Sequence, residues 1–144
     1  MPTPDQIALA DQFAAAEAEA DMRLADFDGE ETHLLPLSGT WLYEYVTAME
    51  QAVREKTGRV CAHLGRSPAV MYTAVWMPTT LVCLTCTPVL ALSDPQRIHC
   101  YRCDKRKWPL NEGIARAGNV LMSFLICDPC GHITGVITQK GVPA

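Results

Sequence analysis

The sequence predicts an α+β fold: two N-terminal helices, then a small β-rich module. Three observations predict it. Before residue 58, apolar residues recur at steps of three and four over two stretches. After residue 58, the apolar residues are largely β-branched or aromatic and come in short runs broken by Gly, Pro, Asn and Asp. Six of the seven cysteines form three C-x-x-C pairs, all in that second stretch.

The first helix is expected over about residues 4–27. Thr3 can cap it, Pro4 suits its first turn, and Gln6 completes a capping box. Leu9, Phe13, Ala16, Ala20, Leu24 and Phe27 form one narrow apolar stripe, and Asp28-Gly29 ends the helix. Residues 29–37 read as a connector. The second helix is expected over about residues 38–56, capped by Ser38 or Thr40, with Gly58 just past its end. Leu42, Tyr45, Val46, Met49, Ala52 and Val53 form its apolar face. Trp41, Tyr43 and Tyr45 can serve either as core or as contact residues. Strands are expected at 69–77, 79–84, 119–126 and 133–138.

The 144 residues suit one ordinary domain, and 49 % apolar content suffices for a core. Charge divides the chain into an acidic helical region, 1–58, and a β-rich metal-binding domain, 59–144. The first carries twelve Asp and Glu against three Lys and Arg, the second four against nine. The overall charge of −4 exerts no general pull on nucleic acid. The N-terminus lacks the basic start and apolar stretch of a secretory signal, which points to a cytoplasmic protein. Residues 67–93 carry no charge and are long enough for a membrane span. Pro68, Pro78 and Pro88 interrupt them, so buried strands are expected instead.

The cysteine pairs are Cys83/Cys86, Cys100/Cys103 and Cys127/Cys130. A C-x-x-C turn brings two sulfurs close enough to share a tetrahedral metal, and zinc suits such a set. The seventh cysteine lies in Cys61-Ala-His63, which can supply a fourth ligand pair. The eight ligands Cys61, His63, Cys83, Cys86, Cys100, Cys103, Cys127 and Cys130 then fill two structural zinc sites. A sequential pairing joins the first two pairs and the last two. A cross-braced pairing joins the first with the third and the second with the fourth. The sequential scheme is favoured because the last two pairs flank strands. His132 is an alternative to His63, while His99 and His33 are expected to face solvent.

Residues 98–138, with their two C-x-x-C knuckles and a strand between, resemble a zinc ribbon. The resemblance implies zinc but no particular activity. The wider pattern of C-x-H followed by three C-x-x-C pairs resembles small zinc proteins of actinobacteria and their phages. The excess of Arg over Lys, eight to four, agrees with a high-GC genome.

Four protein ligands per zinc leave no open position for catalysis. The chain has no His-Glu-x-x-His helix, no Glu following His63 as in zinc deaminases, and no glycine-rich phosphate loop. A non-enzymatic protein is therefore expected, acting as a protein-interaction adaptor or assembly component. Its contact surface is expected on the first helix at Leu9, Phe13, Leu24 and Phe27, toward a protein partner or a second copy. The alternative is nucleic-acid binding through Arg102, Lys105, Arg106, Lys107 and Trp108, cations beside an aromatic that could stack on a base. Against it, seven thiolates and two zinc ions together add about −3 to the basic half. An iron–sulfur or thiol redox role is the third reading.

Overall fold

The computed structural model describes residues 3–26, 32–36, 41–65 and 68–136. They form an α+β structure in the order α1 (Pro4–Asp26), β1 (Thr32–Pro36), α2 (Tyr43–Glu55), β2 (Arg59–Val60), β3 (Met71–Ala74), β4 (Met77–Val82), a 3-10 segment (Leu84–Leu90), a shorter 3-10 turn (Pro95–Arg97), β5 (Leu110–Ala117), β6 (Val120–Cys127) and α3 (Asp128–Thr134). The six strands form one mixed sheet, ordered β1-β5-β6-β3-β4-β2.

The N-terminal capping box forms as the sequence predicts. The Gln6 N–H donates to Thr3 Oγ1 at 3.2 Å, and the Thr3 N–H donates to Gln6 Oε1 at 2.8 Å. At the other end of α1, Phe27, Asp28 and Gly29 lie outside the described residues, as do Ser38 and Thr40, the expected caps of the second helix. That helix begins at Tyr43 and ends with Lys56 left-handed at φ 57°, its N–H shared between the carbonyls of Ala52 and Val53. Gly58 therefore serves a different purpose from the expected one. A Cβ there would stand 2.6 Å from the Thr79 carbonyl oxygen, so glycine permits the backbones of β2 and β4 to approach.

β6 is the central strand. It pairs antiparallel with β5 from Ala117↔Val120 to Leu110↔Cys127, and parallel with β3 from Met71↔Val120 to Ala74↔Ser123. Its near-continuous apolar run, VLMSFLIC, fits burial on both faces. Met122, Phe124 and Ile126 pack on one face with Leu42 and Met49 of the α2 region. Leu121 packs on the other with Ile114, Val70 and, from α1, Ala20 and Leu24. The alternation along β6 thus sets α1 and α2 against opposite faces of the sheet.

Two expectations are corrected and one strand is added. The connector 29–37 contains β1, which runs parallel to β5 at the sheet edge, where Pro36 is tolerated. The segment 133–138 is not a strand: Ile133 and Thr134 complete α3, and residues 137–138 lie outside the described residues. Pro129 starts that helix and Gly135, at φ 79°, stops it, which overrides the β-branched composition. The 69–77 and 79–84 segments become β3 and β4, an antiparallel pair joined by a turn at Val75 and Trp76. β5 is an addition. Its sequence, LNEGIARA, has weak strand propensity, and its eight residues are held by pairing with β6.

Candidate metal centres

The first cluster comes from two adjacent parallel strands. β2 pairs with β4 through Val60↔Leu81, and the Cys61 N–H extends this pairing to the Leu81 carbonyl at 3.2 Å. Cys61 and Cys83 thereby leave their strands side by side. The Cys83 N–H donates to Cys61 Sγ at 3.3 Å. The chain then turns tightly on both sides: the Leu64 N–H bonds the Cys61 carbonyl at 3.2 Å, and the Cys86 N–H bonds the Cys83 carbonyl at 3.1 Å. These turns bring His63 Nδ1 to 3.1 Å from Cys86 Sγ. The donor atoms of Cys61, His63, Cys83 and Cys86 all lie within 4.8 Å of one another. His63 is exposed and the three cysteines are half-buried.

The second cluster sits at the end of the β5–β6 hairpin. Cys127 is the last residue of β6, and Cys130 lies one turn into α3. The Cys100–Cys103 turn closes by bonds from the Asp104 N–H to the Cys100 carbonyl (2.8 Å) and from the Cys100 N–H to the Lys105 carbonyl (3.0 Å). Asp104 adopts φ 62° to allow this. The Tyr101 N–H docks the turn on β6 by donating to the Leu125 carbonyl at 3.0 Å. Cys103 Sγ and Cys127 Sγ stand 3.9 Å apart. The four sulfurs again fall within 4.8 Å of one another, and all four residues are buried or half-buried. The clusters follow the sequential pairing of the cysteine motifs, and each could hold one metal ion.

Protonation makes the same point. Burial acts to raise Cys61, Cys86, Cys100, Cys103 and Cys127. At Cys61, hydrogen bonds from the backbone N–H groups of Cys83 and His63 outweigh it and bring the thiol down to about 6. Backbone bonds from Cys103, Cys127 and Arg102 likewise bring Cys100 down to about 7. Burial and neighbouring sulfurs push Cys86 up to about 11. Burial, reinforced by the three surrounding thiols, pushes Cys127 up to about 12, and Cys103 is also raised by burial first. Four donors so close ionise together only with positive charge between them, which a metal cation supplies.

A pH dependence follows. At neutral pH an entering metal displaces the protons held by Cys86, Cys103 and Cys127. Affinity should therefore fall as pH drops, about tenfold per pH unit for each proton displaced. The loss should steepen below about 7, where Cys100 also takes up a proton. Chelator-competition titrations across this range check it, and a flat profile would contradict metal–thiolate bonding.

The other predicted residues fall into place as follows. His132 is exposed on α3 and belongs to neither cluster. His99 does not face solvent as expected. It is stacked on Tyr101 with centroids 4.3 Å apart, its side chain is 19 % exposed, and Nε2 lies 3.0 Å from Asp104 Oδ1. His33 lies in β1. Arg102, Lys105, Arg106, Lys107 and Trp108 are all exposed around the second cluster. Arg102 is partly engaged, donating to Cys130 Sγ at 3.4 Å. Sequence reasoning did not find this bond, because it crosses between two knuckles. On α1, Leu9 and Phe13 are exposed, Leu24 is buried against the chain's own sheet, and Phe27 lies outside the described residues. Among the described residues, no helix is long and apolar enough to cross a membrane.

No protein-family model, curated protein or solved structure matches the chain.

Proposed function

We propose that the chain is a non-enzymatic cytoplasmic protein that holds two structural zinc ions and acts as a protein-interaction adaptor or assembly component. The donor chemistry favours zinc: one cluster offers three sulfurs and an imidazole, the other four sulfurs. Zinc–sulfur bonds of about 2.3 Å in a tetrahedron set sulfurs about 3.8 Å apart. Cys103 and Cys127 stand at 3.9 Å. Four protein donors complete a tetrahedron, which supports a structural rather than a catalytic ion. A reducing compartment keeps such thiols available, consistent with all seven cysteines being free. The second cluster, with its two knuckles and the β5–β6 hairpin, supports the zinc-ribbon reading of residues 98–138.

One observation carries the interaction role. The apolar stripe of α1 is buried only in its second half, at Ala16, Ala20 and Leu24. Its first half is exposed, with Leu9 at 46 % and Phe13 at 44 %, as are all residues 3–15. A helix that extends an apolar stripe past its own sheet has a face left for a partner. Acidic Asp5 flanks it, which suits a partner with a basic residue beside an apolar groove.

Nucleic-acid binding is the second reading, favoured by Trp108, 73 % exposed beside four exposed cations. One experiment separates the two. Leu9→Asp and Phe13→Asp should reduce association with a captured partner or a second copy at least tenfold, with metal content unchanged. Association unaffected by both changes would remove α1 as the contact. The nucleic-acid reading expects the helix variants to be silent. It expects joint replacement of Arg102, Lys105, Arg106 and Lys107 to weaken binding to a mixed DNA or RNA pool and flatten its salt dependence.

A further inference from the structure

Among the described residues, α1 covers one end of its sheet face and leaves the other end open. There a cleft of about 700 Å³ lies between the last turn of α1, the sheet and the 3-10 segment. Its floor is a ladder of side chains from three strands. Tyr72 stands beside Leu121, Ile114 beside Ser123, and Glu112 beside Leu125. From Leu121 to Leu125 the floor runs about 13 Å. Leu24 forms one wall, and Leu84 and Leu90 form the other. The second wall is pinned in place: the Trp76 indole N–H donates to the Leu90 carbonyl at 2.7 Å. The Arg97 guanidinium donates to the Trp76 carbonyl at 3.3 Å. The cleft is thus mainly apolar, partly aromatic and fixed in shape, with few polar groups, as ligand sites are.

Its lining carries two charged residues, Arg23 and Glu112, and of these only Arg23 has an ion-pair partner among the described residues. Arg23 is neutralised by Glu19, 2.7 Å away, and donates to the Tyr72 hydroxyl at 3.2 Å. Glu112 lines the cleft, is exposed, and makes no ion pair among the described residues. The C-terminal end of α1 borders the same space, and helix carbonyls there carry partial negative charge. The faces of Trp76 and Tyr72 also attract cations. We propose that this cleft binds a small, mainly apolar organic cation, an alkyl- or arylammonium, with Glu112 as its counter-ion.

The test uses the full metal-loaded chain and three probes of one shape: 4-phenylbutylammonium, 4-phenylbutanol and 4-phenylbutyrate. Calorimetric titration should show the ammonium binding about tenfold more tightly than the carboxylate, the scale of one charge-assisted contact in a sheltered site. Glu112→Gln should erase that preference and leave the alcohol unchanged. Ser123→Phe, which places a ring on the cleft floor, should abolish binding of all three. Thermal melting and metal content confirm that each variant is folded. If Ser123→Phe fails to fold, the Glu112→Gln comparison decides alone. The proposal is overturned if no probe binds, if the three bind equally, if the preference survives in Glu112→Gln, or if binding survives in a folded Ser123→Phe.

Discussion

Cys127→Ser should lower the zinc content from about two per chain to about one and unfold most of the molecule. Cys127 is fully buried, ends the central strand β6, and pairs with Leu110 at the start of β5. Its cluster therefore ties the Cys100–Cys103 turn to the strand that both helix layers pack against. A structural zinc is worth on the order of 10 kcal/mol or more in small zinc domains at neutral pH. A whole domain of this size is stable by only about 5–15 kcal/mol. Losing that ion is thus comparable with the entire stability. Cys86→Ser should also cost one zinc, but much less structure. Its cluster joins β4 to β2, which has two residues and lies at the sheet edge. Elemental analysis with circular dichroism measures both variants. An unchanged fold after both zinc ions are chelated would rule out a structural role. About one zinc per wild-type chain would leave only one cluster as a metal site, and iron would favour the redox reading.

Phe124→Ala should destabilise the protein by about 3–5 kcal/mol, lowering its melting temperature by roughly 10 °C. Phe124 is fully buried on the α2 face of β6 and meets Trp41 edge-on, with ring centroids 5.5 Å apart. Removing it leaves a cavity between the central strand and the segment leading into α2. Zinc content should stay near two per chain, because Phe124 supplies no donor to either cluster and lies three residues before Cys127. Trp108→Ala is the contrast. Its side chain is as large but exposed, so the cost should stay within about 0.5 kcal/mol. Equal losses for the two changes would contradict the assignment of the core.

Much of the metal chemistry was legible in the sequence because it is local. A C-x-x-C or C-x-H spacing fixes donors within a few residues, and the short turns at Cys61, Cys83 and Cys100 realise that spacing. The capping box at Thr3 and Gln6 was legible for the same reason. The β5 strand was not. Gly113, Glu112 and Arg116 give it no pattern of its own, and its order comes from its partner β6. The α3 helix was obscured by β-branched Ile133 and Thr134, where the Pro129 start and Gly135 stop prevailed.

The sequence by itself determined the α+β class, the eight candidate ligands and the amphipathic first helix, since each rests on spacing along the chain. Tertiary structure decided the rest. Parallel pairing of β2 with β4 set Cys61 beside Cys83, and the β5–β6 hairpin with its docked knuckle set Cys100 beside Cys127. The sequence favoured this sequential grouping from the strands flanking the last two pairs, but strand order decided it over the cross-braced alternative. Tertiary structure also decided which half of the α1 stripe is buried and which is free, and it opened the cleft beside Glu112. Those outcomes depend on where a helix ends relative to the sheet beneath it, and only the folded chain sets that position.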